Sequence, residues 1–294
     1  MIIGISGKKQ AGKDLVGSII KGIIAWKQVP MDTDVVKDVL LYLDGRGTFN
    51  NGEPIPNWNI KKFADKLKDI VCILINCSRE QLEDEDFKNT QLGEEWWYYK
   101  DVEGKGILTS YDSQWVKDRK DWNWDNAEII KPTPRKLLEL IGTECGRDIL
   151  HPNIWVNSLM KDYKPTNLDI IKAIKAKYGA GLKEAKDKWE TGLYELDGPL
   201  PQPNWIITDV RFSNEVKAIK DRGGIIIRVN KEPFKWFDVD AYEVETGKKV
   251  ERVSEHISEK ALDNSIPDYT VTNNDTVREL ILQVHDILVK EKII

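Results

Sequence analysis

An α/β fold, with a mostly parallel five-stranded sheet and helices on both of its faces, is what three features of this 294-residue sequence predict. Five short apolar runs rich in β-branched side chains are spread along the chain. Amphipathic helical patterns separate them, and a glycine-bearing turn joins the first run to the first helix.

Met1 to Ile5 reads as a buried strand, and Leu15, Val16, Ile19, Ile20, Ile23 and Ile24 recur at helical spacing behind the turn. Val35 to Leu43 reads as a short helix among loops marked by Gly45, Gly47, Gly52, Pro54 and Pro56. Ile60 to Phe63 is the second strand, followed by a helix over Ala64 to Asn76 with Leu67, Ile70, Val71, Leu74 and Ile75 on one face. Residues 83–131 are polar, aromatic and poorly periodic, and so long an irregular excursion in a compact domain fits a lid or substrate loop. Pro134 sits at a favoured first-turn position for a helix over Arg135 to Glu144, and another helix runs from Asn153 to about Tyr163. Residues 165–203 form a second insertion, closed by Gly198-Pro199-Leu200-Pro201-Gln202-Pro203. Then come a strand (Trp205 to Thr208), a helix (Asn214 to Arg222), a stop at Gly223-Gly224, strands at Ile225 to Val229 and Tyr269 to Thr272, and a helix from Thr276 to Lys290. The whole reads as one domain, 1–294, carrying two insertions.

Composition narrows the function. Hydrophobic residues make up 40 % and charged ones 32 %, enough of each for a core and a polar surface. With 44 basic against 49 acidic side chains the formal charge is −5, which argues against stable nucleic-acid binding, although a local basic pocket is compatible with it. No apolar run approaches a membrane span, and the start lacks the pattern of a signal peptide. Cys72, Cys77 and Cys145 form no CxxC, and His151, His256 and His285 have no ligand spacing with them, so a zinc site is not expected and a reducing cytoplasm fits best. Cys72 and Cys77, five apart on one helix, are not expected to share a face. Five of the eleven tryptophans (Trp96, Trp97, Trp115, Trp122 and Trp124) crowd the first insertion, where they are expected to hold an irregular loop together.

The turn itself carries the chemistry. Gly7-Lys8-Lys9-Gln10-Ala11-Gly12-Lys13-Asp14 matches G-x-x-x-x-G-K, lying between strand and helix as a phosphate-binding loop must. Glycines let the backbone curl so that successive N–H groups face phosphate oxygens, the helix start adds its positive end, and Lys13 reaches the outer phosphates. The usual final Ser or Thr, whose hydroxyl binds Mg²⁺, is replaced by Asp14. That carboxylate could bind Mg²⁺ directly or through water, act as an acid/base group, or simply favour the first helical turn.

The loop resembles that of the deoxynucleoside monophosphate kinases of tailed bacteriophages. Phe63 to Lys68, Pro134 to Glu144, Asn153 to Val156, Ile206 to Arg211, His256 to Glu259 and Thr272 to Asn274 are similar to further segments of that family in the same order. Leu15 stands where the family commonly has threonine. The resemblance implies a P-loop kinase fold and transfer of the γ-phosphoryl of ATP to a deoxynucleoside 5′-monophosphate with Mg²⁺, in the host-cell cytoplasm if the chain is phage-encoded. It implies that Gly7 to Asp14 and Asn273 hold ATP, and that Lys68 contacts the acceptor phosphate. It places Arg135 and Arg211 near the phosphoryl path, and Trp155, Asp209 and Glu215 around the acceptor nucleotide.

The residues themselves support such a task. Bringing two anionic nucleotides together needs cations, and Lys13, Lys68, Arg135, Arg147 and Arg211 supply them, with Lys88 a further candidate beyond the acidic run Glu83 to Asp86. Two other readings stay open: a kinase of another small acceptor such as dephospho-coenzyme A, and a non-catalytic nucleotide-binding module. Within the second insertion, Asp169 to Lys175 and Gly181 to Asp187 resemble the helical hairpin in the C-terminal domain of the bacterial ribosomal stalk protein. Here a hairpin with Ile170, Ile171 and Ile174 facing Leu182, Ala185 and Trp189 is expected to serve as a flap or as a contact in a homo-oligomer.

Overall fold

The computed structural model describes residues 1–26, 34–45, 58–101, 107–110, 127–198, 200, 202–231, 262 and 265–294. They form two compact units, one of Met1–Phe63 with Met160–Ile294 and the other of Ala64–Leu159. The first holds an all-parallel sheet of β1 (Ile2–Ser6), β2 (Trp58–Lys61), β6 (Asn204–Val210), β7 (Ile225–Asn230) and β8 (Tyr269–Thr272), in the spatial order β2-β6-β1-β7-β8. The sheet is the one the sequence predicts, although β2 lies slightly earlier than Ile60 to Phe63 and β6 runs on through Asp209. β1 is central. The chain leaves it toward β2 on one side, whereas it leaves the adjacent β6 toward β7 on the other. The carboxyl ends of β1 and β6 therefore flank the switch point at which parallel sheets open a crevice for ligands.

Alternation along β1 sends neighbouring residues to opposite faces. A Cβ added to Gly4 would meet Ile219 of the helix Ser213–Lys220, whereas a Cβ on Gly17 of α1 (Lys13–Trp26) would meet Ile5. The two helices thus cover opposite faces of the sheet. On the α1 face, Val16, Ile19, Ile20 and Ile23 pack with Ile3, Ile5 and Ile227, with Val36 and Val39 of α2 (Val35–Leu43), and with Leu280, Ile281, Val284 and Leu288 of the last helix, Val277–Lys290.

The second unit departs from the expected irregular excursion. Asp65–Ile75 is α3, and α4 (Arg79–Glu83) and α5 (Glu85–Asn89) follow, each entered through a capping side chain, Ser78 and Asp84. β3 (Tyr98–Asp101), β4 (Ile107–Ser110) and β5 (Ala127–Ile130) make a small antiparallel sheet in the order β4-β3-β5. Trp97 donates to Leu92 O at 2.9 Å and lies under the Lys131 ammonium, while Trp115, Trp122 and Trp124 fall outside the described residues.

The expected apolar face of α3 is only half used. Leu67 and Val71 are buried with Leu82, Leu137 and Trp155, but Ile70, Ile73 and Leu74 are exposed. α3 also ends earlier than predicted, because Asn76 turns left-handed (φ 50°). That turn brings Cys77 N within 3.0 Å of Cys72 O and the two thiols together, so spacing along an unbroken helix misjudges this pair. Burial, with the neighbouring Cys72 thiol, pushes the Cys77 thiol up to about 11.

After Thr133 caps α6 (Pro134–Glu139), the coil widens into a π-helix, Leu140–Leu150, closed by a His151 N to Gly146 O bond. Buried Gly142 and Gly146 leave room there. A Cβ on either would come within 2.9 Å of Leu67 or of the Trp155 ring. α7 (Ile154–Met160) then carries Trp155.

In the first unit, α8 (Asn167–Tyr178) and α9 (Leu182–Thr191) form the predicted hairpin, turned at Gly179 (φ 60°). Ile171, Ile174, Ala180 and Ala185 make its core with Ile170 and Trp189 at the edge. Leu182, expected inside, is 64 % exposed, and Ala180 of the turn packs into the hairpin core with Ala185 instead. The next helix, Ser213–Lys220, is α10, and Val277–Lys290 is α11. Among the described residues no helix is long and apolar enough to cross a membrane.

Gly17→Ala tests how closely α1 is seated. Alanine gains about 1 kcal/mol of helix propensity at an open site, but this Cβ would stand 2.6 Å from Thr208 Cγ2. Overpacking of that kind costs about 1–3 kcal/mol. The urea midpoint is expected to fall; a rise would show that α1 does not bear on β6 this tightly.

Candidate functional site

The loop between β1 and α1 is shaped by two glycines with positive φ, Gly7 (150°) and Gly12 (97°), and by Gln10 at φ 60°. A Cβ on Gly7 would press on Val229 O at 2.6 Å, and one on Gly12 would overlap the Asn273 amide. Lys13 opens α1, so the loop delivers the chain directly to a helix N-terminus. Its ammonium donates to Gly7 O and Lys8 O, both at 2.7 Å, and so lies folded over the loop. Lys8 O also accepts from Ala11 N at 3.2 Å, while Lys8 and Lys9 are exposed. Asn273, just beyond β8, donates from Nδ2 to Ala11 O at 2.9 Å and from its backbone to Asn230 O at 2.8 Å. It ties the loop to the far strands of the sheet. His256 to Glu259, the other part of the tail signal, lies outside the described residues.

Asp14 has two partners on one oxygen. Its Oδ1 accepts from Thr208 Oγ1 at 2.6 Å and from Lys62 Nζ at 2.9 Å. Burial works to raise its pKa, but those two hydrogen bonds and the charges of Lys62 and Lys13 prevail, and the carboxyl is held below its usual value. It is a carboxylate at neutral pH. Ser6, the last residue of β1, is buried, and its hydroxyl is the only buried side-chain oxygen or nitrogen among the described residues without a hydrogen-bond partner. An orphan hydroxyl at the root of this loop fits a site that a polar ligand completes. Among the described residues no three His, Cys, Asp or Glu side chains gather into a metal cage. Asp14 fits the alternative arrangement, in which Mg²⁺ takes one carboxylate and shares phosphate oxygens and water.

At the end of β6, Asp209 Oδ1 accepts from Phe63 N at 2.8 Å and clamps the exit of β2 to β6. Arg211 is exposed, on the turn into α10. Glu215 is buried, and its Oε2 accepts from Arg211 N at 2.7 Å and from Phe212 N at 3.0 Å. It thereby holds the turn on which Arg211 stands.

In the second unit Lys68, Lys88 and Arg135 are held by carboxylates. Lys68 Nζ contacts both oxygens of Glu83, at 2.6 and 2.8 Å, and Arg79 reaches Asp65 and Asp69. Arg135 donates from Nε to Asn89 and from Nη2 to Glu85, and Lys88 meets the other oxygen of Glu85 at 2.6 Å. The Lys88 hydrogen bond, with the charges of Lys88 and Arg135, keeps the Glu85 carboxyl below its usual value. Trp155 is a core residue of this unit, with Nε1 donating to Gly142 O at 2.8 Å. Arg147 lies half-buried in the π-helix.

Lys62, Thr208 and Ser6 are the site residues that motif reading misses. The sheet supplies the signal. Lys61 pairs with Ile207, so Lys62 and Thr208 continue one register line toward Asp14.

No protein-family model and no curated protein matches the chain.

Glu215→Ala should cost about 2–3 kcal/mol, the scale for hydrogen bonds to a charged group, because two backbone amides lose their acceptor. Thermal or urea unfolding reads this directly. A change under about 0.5 kcal/mol, ordinary for surface positions, would mean that the turn does not depend on it.

Proposed function

We propose that the chain is an ATP-dependent nucleotide kinase that transfers the γ-phosphoryl of ATP to a deoxynucleoside 5′-monophosphate, releasing ADP and the diphosphate. The observation that carries this reading is the curled loop Gly7–Asp14, set between β1 and a helix N-terminus at the switch point of a parallel sheet. The sequence resemblance supplies the acceptor class.

In this reading the loop amides and Lys13 hold the ATP phosphates. Lys13 turns from the carbonyls of Gly7 and Lys8 toward the anion. Asp14 is the residue that would hold Mg²⁺, which when bound offsets phosphate charge. Lys68, Lys88 and Arg135 serve the acceptor phosphate and exchange their carboxylate partners for it. Arg211, steadied by Glu215, stabilises charge on the transferred group. Asp209 positions the β2 and β6 ends, and Trp155 supports the second unit from within. No strong general base is required, since the acceptor phosphate is already an anion and the work is positioning and charge stabilisation.

Lys13→Ala should lower turnover about a hundredfold or more, the usual scale for removing a charge-stabilising group, with the fold left intact. Retention of more than about a tenth of turnover, well short of that scale, would count against the loop assignment.

Arg135→Lys separates an acceptor contact from a solvated helix start. The lysine keeps the charge but loses the planar fork, so kcat/KM for the acceptor should fall while ATP binding holds. Unchanged acceptor kcat/KM would remove Arg135 from the site.

A further inference from the structure

A carboxylate on a phosphate loop is an electrostatic problem, because it repels the anion that the loop is built to hold. In this chain the problem is met by Lys62, a residue outside every motif. Its ammonium sits 2.9 Å from Asp14 Oδ1, and it is carried there by the end of β2. The placement is over-determined. Phe63 N is tied to Asp209, which fixes the backbone next to Lys62, and Thr208, 1 % exposed, fixes the same carboxylate oxygen from β6. Lys62 is 30 % exposed and the Asp14 side chain 70 %, so the pair lies within reach of solutes.

We propose that Lys62 is a further nucleotide-binding residue, one that shields Asp14 in the metal-free loop and yields the carboxylate to the divalent cation accompanying a nucleoside triphosphate. The inference rests on the kinase reading and deepens it. A lysine and a divalent cation competing for one carboxylate make metal and nucleotide binding interdependent, and that coupling can be measured without any turnover. Thr208 has a supporting part. It holds Asp14 in place while its cationic partner changes, so the exchange requires no movement of α1.

The test is calorimetric titration of ATP into the full chain, with EDTA and with saturating Mg²⁺. Lys62→Gln should weaken metal-free ATP binding by about tenfold, since an unshielded carboxylate then faces the phosphates at partly screened dielectric. With Mg²⁺ the difference should largely vanish, so that the ratio of the two affinities grows. Asp14→Asn approaches the pair from the other side; it should tighten metal-free binding and shrink the ratio. If Lys62→Gln weakens ATP equally with and without metal, Lys62 is a plain phosphate contact and the exchange is wrong. If neither variant alters the ratio, the pair is only structural and the inference is overturned. If the native chain binds no ATP under either condition, the kinase reading falls and takes this inference with it.

Discussion

The turn from Ser6 to Lys13 is the constraint on which the rest of the site depends. Gly7 meets a strand carbonyl and Gly12 meets the Asn273 amide at distances that leave no room for a side chain, and both take backbone angles that L residues avoid. Because the loop is pressed against β7 and the end of β8, its shape is set by the sheet. The isoleucine-rich packing of β1, β7 and α1 matters to function for that reason: it holds a strained turn in a single conformation.

Charge at the two candidate sites is arranged in one way. Four of the cations assigned to phosphate on other grounds are already partnered: Lys13 by backbone carbonyls, Lys68 by Glu83, and Lys88 and Arg135 by Glu85. Asp14, the lone acid of the loop, is partnered by Lys62. The carboxylates of Glu83 and Glu85 are the exposed members of their pairs, whereas the Lys68 and Lys88 side chains are only 17 % and 13 % exposed; in the proposed reading a phosphate takes the place of the carboxylate. Other partners behave differently. Buried Glu215 on its two amides, half-buried Asp209 on Phe63 and buried Trp155 on Gly142 hold backbone in place.

Contiguous features were legible in the sequence. The strand, loop and helix over residues 2–26 and the five parallel strands carry their own periodicity, and packing only confirms what local pattern dictates. What escaped reading depends on distance along the chain or on neighbours. Lys62 and Asp14 are brought together by strand register, which no spacing rule encodes. Ile70 and Leu74 have the helical spacing of a core face, yet they stay exposed while Leu67, Val71 and Ile75 pack into the cluster. The small sheet over 98–130 is short and interrupted, so alternation is weak there. Glu215 and Trp155 read the same whether they face a ligand or brace a turn, and burial separates the two.

The central claim, that this chain moves a phosphoryl group between nucleotides, is tested most directly by coupled ADP release from the unmodified protein with ATP, Mg²⁺ and each deoxynucleoside monophosphate in turn. The account predicts ADP release that requires an acceptor and matches diphosphate formed, one for one, with some acceptors strongly preferred. ADP release that is absent with every acceptor, or that proceeds equally well with none, would contradict it.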